Sequence, residues 1–200
     1  MTAGLISGPP DVARKRVAVL ISGRGSNMAT LIEAARAPDY PAEVVLVVSN
    51  KADAGGLLIA RAAGVAAVAV TAKDKPTMEA AINRALEATH VEIVALAGFM
   101  RILSADFVQR WQARLINIHP SLLPAFPGLD THARALAAGM KRHGCTVHYV
   151  TAGVDEGPVI AQAEVPVLAD DTPATLAARV LVAEHQLYPK ALAMVAARLP

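Results

Sequence analysis

Between residues 16 and 118, unbroken apolar runs alternate with segments whose apolar residues recur every three or four positions. Runs such as Val17-Ala-Val-Leu-Ile21 and Val44-Val-Leu-Val-Val48 lack the apolar–polar alternation of a half-exposed strand, so they read as strands covered on both faces. Strands are predicted at residues 16–22, 43–49, 66–70, 92–97 and 114–118, with helices near 27–36, 54–63 and 76–88 between them. This alternation is the grammar of βαβ units. After His119 the pattern changes to a helix near 131–139, strands at 145–151 and 159–166, and a long helix from 173 to about 198. Thr172 and Pro173 suit the N-cap and first position of that last helix. The expected fold is α/β: a doubly wound, mostly parallel, Rossmann-like sheet closed by a C-terminal β-hairpin and a long helix.

Composition narrows the function classes. Hydrophobic residues make up 54% of the 200, which suits one domain with a substantial core, drawn over residues 16–200. Residues 1–15 read as a disordered tail, because Gly8-Pro-Pro10 stands where a signal peptide needs an apolar run. Basic and acidic residues nearly balance, 19 against 17, and only 4% are aromatic, so no nucleic-acid surface is expected. No apolar stretch is long enough to span a membrane, and no membrane partner is expected. The single cysteine, Cys145, allows neither an internal disulfide nor a cysteine-rich metal site, which fits a reducing, cytoplasmic setting.

Three segments carry candidate chemistry. The first is Ser22-Gly-Arg-Gly-Ser-Asn27 at the end of the first strand. Two glycines and a following helix N-terminus expose N–H groups and a partial positive charge, which favours a phosphate. It is a poor dinucleotide fingerprint, since Met28 takes the third glycine position and Ser49-Asn50 replaces the ribose-binding acid. The plain alternative is a structural turn. The second segment is Gly98-Phe-Met-Arg-Ile-Leu-Ser104, in which Ser104 reads as the N-cap of a further helix. Met100, Ile102 and Leu103 then either line a flat aromatic pocket at the carboxyl edge of the sheet or plug the end of the core.

The third segment is Asn117-Ile-His119-Pro-Ser-Leu-Leu-Pro124, answered later by Asp155 in Gly153-Val-Asp-Glu-Gly157. Side chains alternate along a strand, so Asn117 and His119 face the same way, and proline ends the strand there. Together they offer a proton-transfer group and a neutral hydrogen-bond donor, and a nearby carboxylate favours the imidazolium form. His90, His132, His143, His148 and His185 lack that strand-end setting and read as solvent-facing or structural. No zinc-ligand spacing surrounds His119, so no metal is expected.

On these motifs, together with Ser49-Asn-Lys-Ala-Asp53 and Asp155-Glu-Gly-Pro158, the chain from about Arg16 onward resembles the phosphoribosylglycinamide formyltransferases, folate-dependent enzymes of purine biosynthesis. The resemblance implies 10-formyltetrahydrofolate as co-substrate, phosphoribosylglycinamide as formyl acceptor, no metal, and a monomer or homodimer. It implies that Gly25, Ser26 and Asn27 hold the substrate phosphate and that Glu184 orients the glycinamide. Met100, Arg101, Ile102 and Leu103, with the loop Thr151, Ala152, Gly153, Val154 and Asp155, would wrap the pterin, and Asn117, His119 and Asp155 would carry the chemistry. Two departures stand out. Met78 occupies a position where many members have an arginine toward the folate tail, and Leu181 one where some have glutamine. Readings that compete with a transferase are a formyltetrahydrofolate deformylase and a non-catalytic phosphometabolite-binding module. A methionyl-tRNA formyltransferase is disfavoured, because Pro200 leaves no room for its RNA-binding domain.

Overall fold

The computed structural model describes residues 14–200. Its elements in order are β1 (Lys15–Ile21), α1 (Ser26–Ala34), β2 (Ala42–Ser49), α2 (Gly55–Ala62), β3 (Ala66–Ala69), α3 (Lys75–Ala88), β4 (Ile93–Leu96), α4 (Ala105–Arg110), β5 (Leu115–His119), α5 (Thr131–Ala137), β6 (Arg142–Tyr149), β7 (Val159–Pro166) and α6 (Pro173–Ala196). The expected tail over residues 1–15 falls mostly outside the described residues. Its last residue, Lys15, belongs to β1, where its backbone N–H bonds Pro41 O, so the ordered fold begins before Arg16.

The strands form one seven-stranded sheet in the order β3-β2-β1-β4-β5-β6-β7. The first five are parallel, β6 adds antiparallel to β5, and β7 adds antiparallel to β6. The chain winds outward from β1 to β3, then returns to lay β4 on the other side of β1. The carboxyl ends of β1 and β4 therefore flank the switch point, where open α/β sheets leave a crevice.

The all-apolar central strands have a core on each face. Val17, Val19 and Ile21 pack with α1, α2 and α6, while Ala18 and Leu20 pack with Met78, Ile82 and Leu86 of α3 and with Phe107 and Trp111 around α4. Each fully buried large side chain contributes about 1.5–3 kcal/mol of transfer free energy, so this double burial holds the central strands rigid beneath the loops. Helix α6 begins at a capping box of Thr172 and Thr175 with proline in the first turn. It buries Leu176, Val180, Glu184, Leu187, Tyr188 and Ala191 along one stripe, and Tyr188 donates its hydroxyl to Leu96 O at 2.8 Å. That contact ties α6 to the end of β4 one helical turn beyond Glu184.

Candidate active site

His119 is the last residue of β5 and Asn117 lies two before it, on the same face. In the antiparallel ladder with β6, Asn117 pairs with His148 and His119 with Thr146. The loop after β6 turns back at Asp155, which adopts φ 57, and brings its carboxylate to the same edge. His119 Nδ1 lies 3.3 Å from Asp155 Oδ2, with both side chains largely buried. The other ring nitrogen, Nε2, is 3.0 Å from Phe126 O. Both nitrogens face oxygen acceptors, the pattern of a doubly protonated imidazolium.

Asp155 is held from two further directions. Gly128 N–H donates to its Oδ2 at 2.9 Å, and His148 Nε2 stands 3.6 Å from Oδ1. Burial pushes the Asp155 carboxyl upward, but the His148 imidazole, the Gly128 N–H and the His119 charge together outweigh it and hold the group below the ordinary carboxylate value. The carboxylate is thus ionised at neutral pH. His148 Nδ1 faces Tyr149 O at 2.9 Å, which places a proton on Nδ1, and its Nε2 is 3.3 Å from Asn117 Nδ2. The Asn117 amide is thus seated beside the His148 ring, and an N–H of its NH2 group remains for another acceptor.

The site therefore holds the predicted trio together with three groups that the sequence does not reveal by motif. His148, expected to be solvent-facing or structural, is 2% exposed and touches both Asn117 and Asp155. The other two are the Phe126 carbonyl and the Gly128 N–H, backbone groups that no side-chain pattern marks. The antiparallel pairing of β5 with β6 was the missing signal for His148, since it sets Asn117 opposite that residue. His143 is buried and His132 half-buried, their rings 5.3 Å apart, and Phe126 stands edge-on to His143 at 6.0 Å. Burial, with repulsion from His132 and His119, depresses His143 to about 4, so this neighbour stays neutral at pH 7.

The loop after β1 forms a cradle at the other side of the switch point. Gly25 takes φ 75 as N-cap of α1, a conformation that favours glycine. A Cβ there would also lie 3.0 Å from Gly56 Cα. No side chain caps α1 and its first turn carries no acid, so its leading N–H groups and dipole are open to an anion. Ser26 is exposed at this end. Asn27 Nδ2 donates to Glu184 Oε2 at 2.7 Å, which joins α1 to α6. Burial raises the Glu184 carboxyl and the Asn27 contact only partly offsets it. Asn27 Oδ1 is buried with no partner, an arrangement costing about 1–3 kcal/mol that a ligand hydroxyl or amine would relieve.

The loop at residues 100–103 begins beside this cradle, since Ser22 and Gly98 meet across the switch point. Met100 and Ile102 are 63% and 70% exposed, so they do not plug the core, while Leu103 packs in part against it. Arg101 extends over the surface to Lys73 O at 3.2 Å. In the loop after β6, Thr151, Ala152 and Val154 are exposed and Gly153 is half-buried. Met78 is buried in the core and offers no polar contact. Among the described residues no cluster of three or more His, Cys, Asp or Glu is arranged to hold a metal ion, and no helix is long and apolar enough to cross a membrane.

An open helix N-terminus, an exposed apolar loop and an acid–amide pair lie along the carboxyl edge of one Rossmann-like sheet. The chain belongs to the formyl transferase family, which matches residues 15–192. Within it, the chain is similar to the phosphoribosylglycinamide formyltransferase of Escherichia coli, 47% identical over 86% of this chain and 83% of that protein. The crystal structure of phosphoribosylglycinamide formyltransferase from Brucella melitensis superposes with a TM-score of 0.88 at 56% identity, covering 94% of this chain and 98% of that one. The trifunctional purine biosynthetic protein adenosine-3 of Drosophila pseudoobscura pseudoobscura is 53% identical over 92% of this chain, which spans only 14% of that protein's length.

Proposed function

We propose that the chain transfers the formyl group of 10-formyltetrahydrofolate to the amine of 5'-phosphoribosylglycinamide, giving phosphoribosyl-N-formylglycinamide and tetrahydrofolate. The observation that carries this reading is the meeting of Asn117, His119 and Asp155 at the edge shared with the Gly25–Asn27 cradle. Gly25, Ser26 and Asn27 bind the phosphate through the open N-terminus of α1. Glu184, fixed by Asn27, orients the ribosylglycinamide. The pterin lies between Met100–Leu103 and the loop from Thr151 to Asp155.

In the reaction the amine attacks the formyl carbon and negative charge develops on the formyl oxygen. The His119 imidazolium and the free Asn117 N–H stabilise that oxygen. Asp155 keeps His119 protonated. The Phe126 carbonyl faces the Nε2 proton at 3.0 Å, and the more basic oxyanion competes with it for that proton. The proton lost by the amine passes to the departing folate nitrogen, through a water held by the Asp155 carboxylate. Positioning two bound substrates at one edge supplies much of the remaining acceleration. The reaction needs no metal.

The reading also favours a single domain and a cytoplasmic site of action, with the protein acting as a monomer or homodimer. Its test is to follow 10-formyltetrahydrofolate with and without phosphoribosylglycinamide. Consumption only in the presence of the amine is expected. Consumption at the same rate without it would make the protein a deformylase, and no consumption in either case would make it a binding module.

A further inference from the structure

Ser22 follows β1 directly and is 5% exposed at the switch point. Its N–H donates to Gly98 O at 3.1 Å, and its Oγ accepts the Met100 N–H at 2.8 Å. Met100 N–H can only donate, so the single hydroxyl proton is free to go elsewhere, and it goes to Asn50 Oδ1 at 2.6 Å. One hydroxyl thus joins the carboxyl ends of β1, β2 and β4. Gly98, at φ 73, turns the chain so that Met100 N–H comes back to Ser22.

The loop beyond Met100 has little else to hold it. Met100 and Ile102 are exposed, and Arg101 reaches only a surface carbonyl. The next firm anchor is Ser104, whose N–H donates to the buried Glu79 carboxylate at 2.7 Å. On its other side Ser22 leads straight into the cradle, which is braced by Gly56 N–H on Gly23 O at 3.1 Å. We propose that Ser22, oriented by Asn50, is a positioning residue that sets the folate loop at Met100–Leu103 against the phosphate cradle at Gly25–Asn27. The hydroxyl touches neither substrate and acts through the Met100 backbone. The proposal rests on the formyltransferase reading above. It also accounts for the Ser49-Asn50 end of β2, because this chain commits an amide to Ser22 at the place where a dinucleotide enzyme sets an acid for ribose.

The test compares Ser22→Ala, Ser22→Thr, Asn50→Ala and the Ser22→Ala/Asn50→Ala double variant. Formyl transfer is measured by steady-state kinetics, and tetrahydrofolate binding by calorimetry. Losing one such hydrogen bond is expected to raise the KM for 10-formyltetrahydrofolate about 3- to 10-fold in Ser22→Ala and to weaken tetrahydrofolate binding in parallel. The KM for phosphoribosylglycinamide stays within about twofold. Ser22→Thr, which keeps a hydroxyl, recovers the folate KM, and the double variant is no worse than Ser22→Ala because Asn50 acts through Ser22. An unchanged folate KM in Ser22→Ala overturns the proposal. So does an equal rise in both KM values, which marks general loosening, or an Asn50→Ala effect that adds in full to Ser22→Ala. A wild-type protein that transfers no formyl group defeats the formyltransferase reading instead, and tetrahydrofolate binding by the variants still reports whether Ser22 anchors the loop.

Discussion

At the scale of single residues, the electrostatics of Asp155 organise the site. A half-buried carboxylate would ordinarily resist ionisation, yet one N–H and two imidazoles keep it charged. It in turn keeps the proton on His119 Nδ1. Asp155→Asn preserves the shape and removes the charge, so turnover is expected to fall by at least about 100-fold. Steady-state turnover of the variant checks this, and a rate near wild type would remove Asp155 from the role. Glu184 shows how a site residue can hide: it stands in the apolar stripe of α6 at 7% exposure, where a carboxylate is out of place unless something pairs with it. That mismatch is visible in the sequence, but its partner Asn27 is far off in the chain and meets it only in the fold.

At the scale of elements, the strands were legible to within a residue or two where apolar runs end at glycine, serine or proline. Strand β6 was not: it starts at Arg142, three residues before the expected 145, because Arg142-His-Gly144 reads as a polar turn. Yet His143 is 1% exposed, packed against His132 and Phe126, and a Cβ on Gly144 would fall 2.0 Å from Ala163 O. Long-range pairing overrode local polarity there, and the same pairing brought His148 to Asn117. The turn into α1 was fully legible, since Gly-Arg-Gly before a helix start can do little but turn. Gly25→Ala is expected to cost about 1–2 kcal/mol through the left-handed backbone alone. It also pushes against Gly56. The KM for phosphoribosylglycinamide should rise about tenfold while the folate KM changes little, as steady-state kinetics in each substrate would register. A larger effect on folate would misplace the cradle.

At the scale of the whole molecule, the return of the chain from β3 to β4 brings the loops after β1 and β4 side by side, and the hairpin β6–β7 forms a wall beyond β5. Apolar patterning identifies the strands but not their neighbours, so the cradle and the proposed catalytic trio could be named while their placement along one carboxyl edge could not. The hairpin wall also makes the fold sensitive to acid. His143 titrates near 4 when folded against about 6.5 when free, and burial depresses His132 and His185 as well. The unfolded chain therefore binds more protons between pH 6.5 and 4, and stability that is complete above 6.5 is lost as the pH falls through that window. Thermal melting across the range should show Tm falling by about 2–4 °C for each kcal/mol lost, and His143→Phe should flatten the curve. A Tm that does not move between neutral pH and the folded value of about 4 would contradict the burial of neutral histidines.

The proposed function stands on one edge of the sheet binding two ligands and performing the transfer through His119. The most direct measurement pairs single-turnover formyl transfer with phosphoribosylglycinamide binding in His119→Ala. A loss of about 100- to 1,000-fold in the transfer rate is expected, with binding of phosphoribosylglycinamide within a few-fold of wild type because the cradle lies on β1 and α1. Transfer at a near wild-type rate would contradict it.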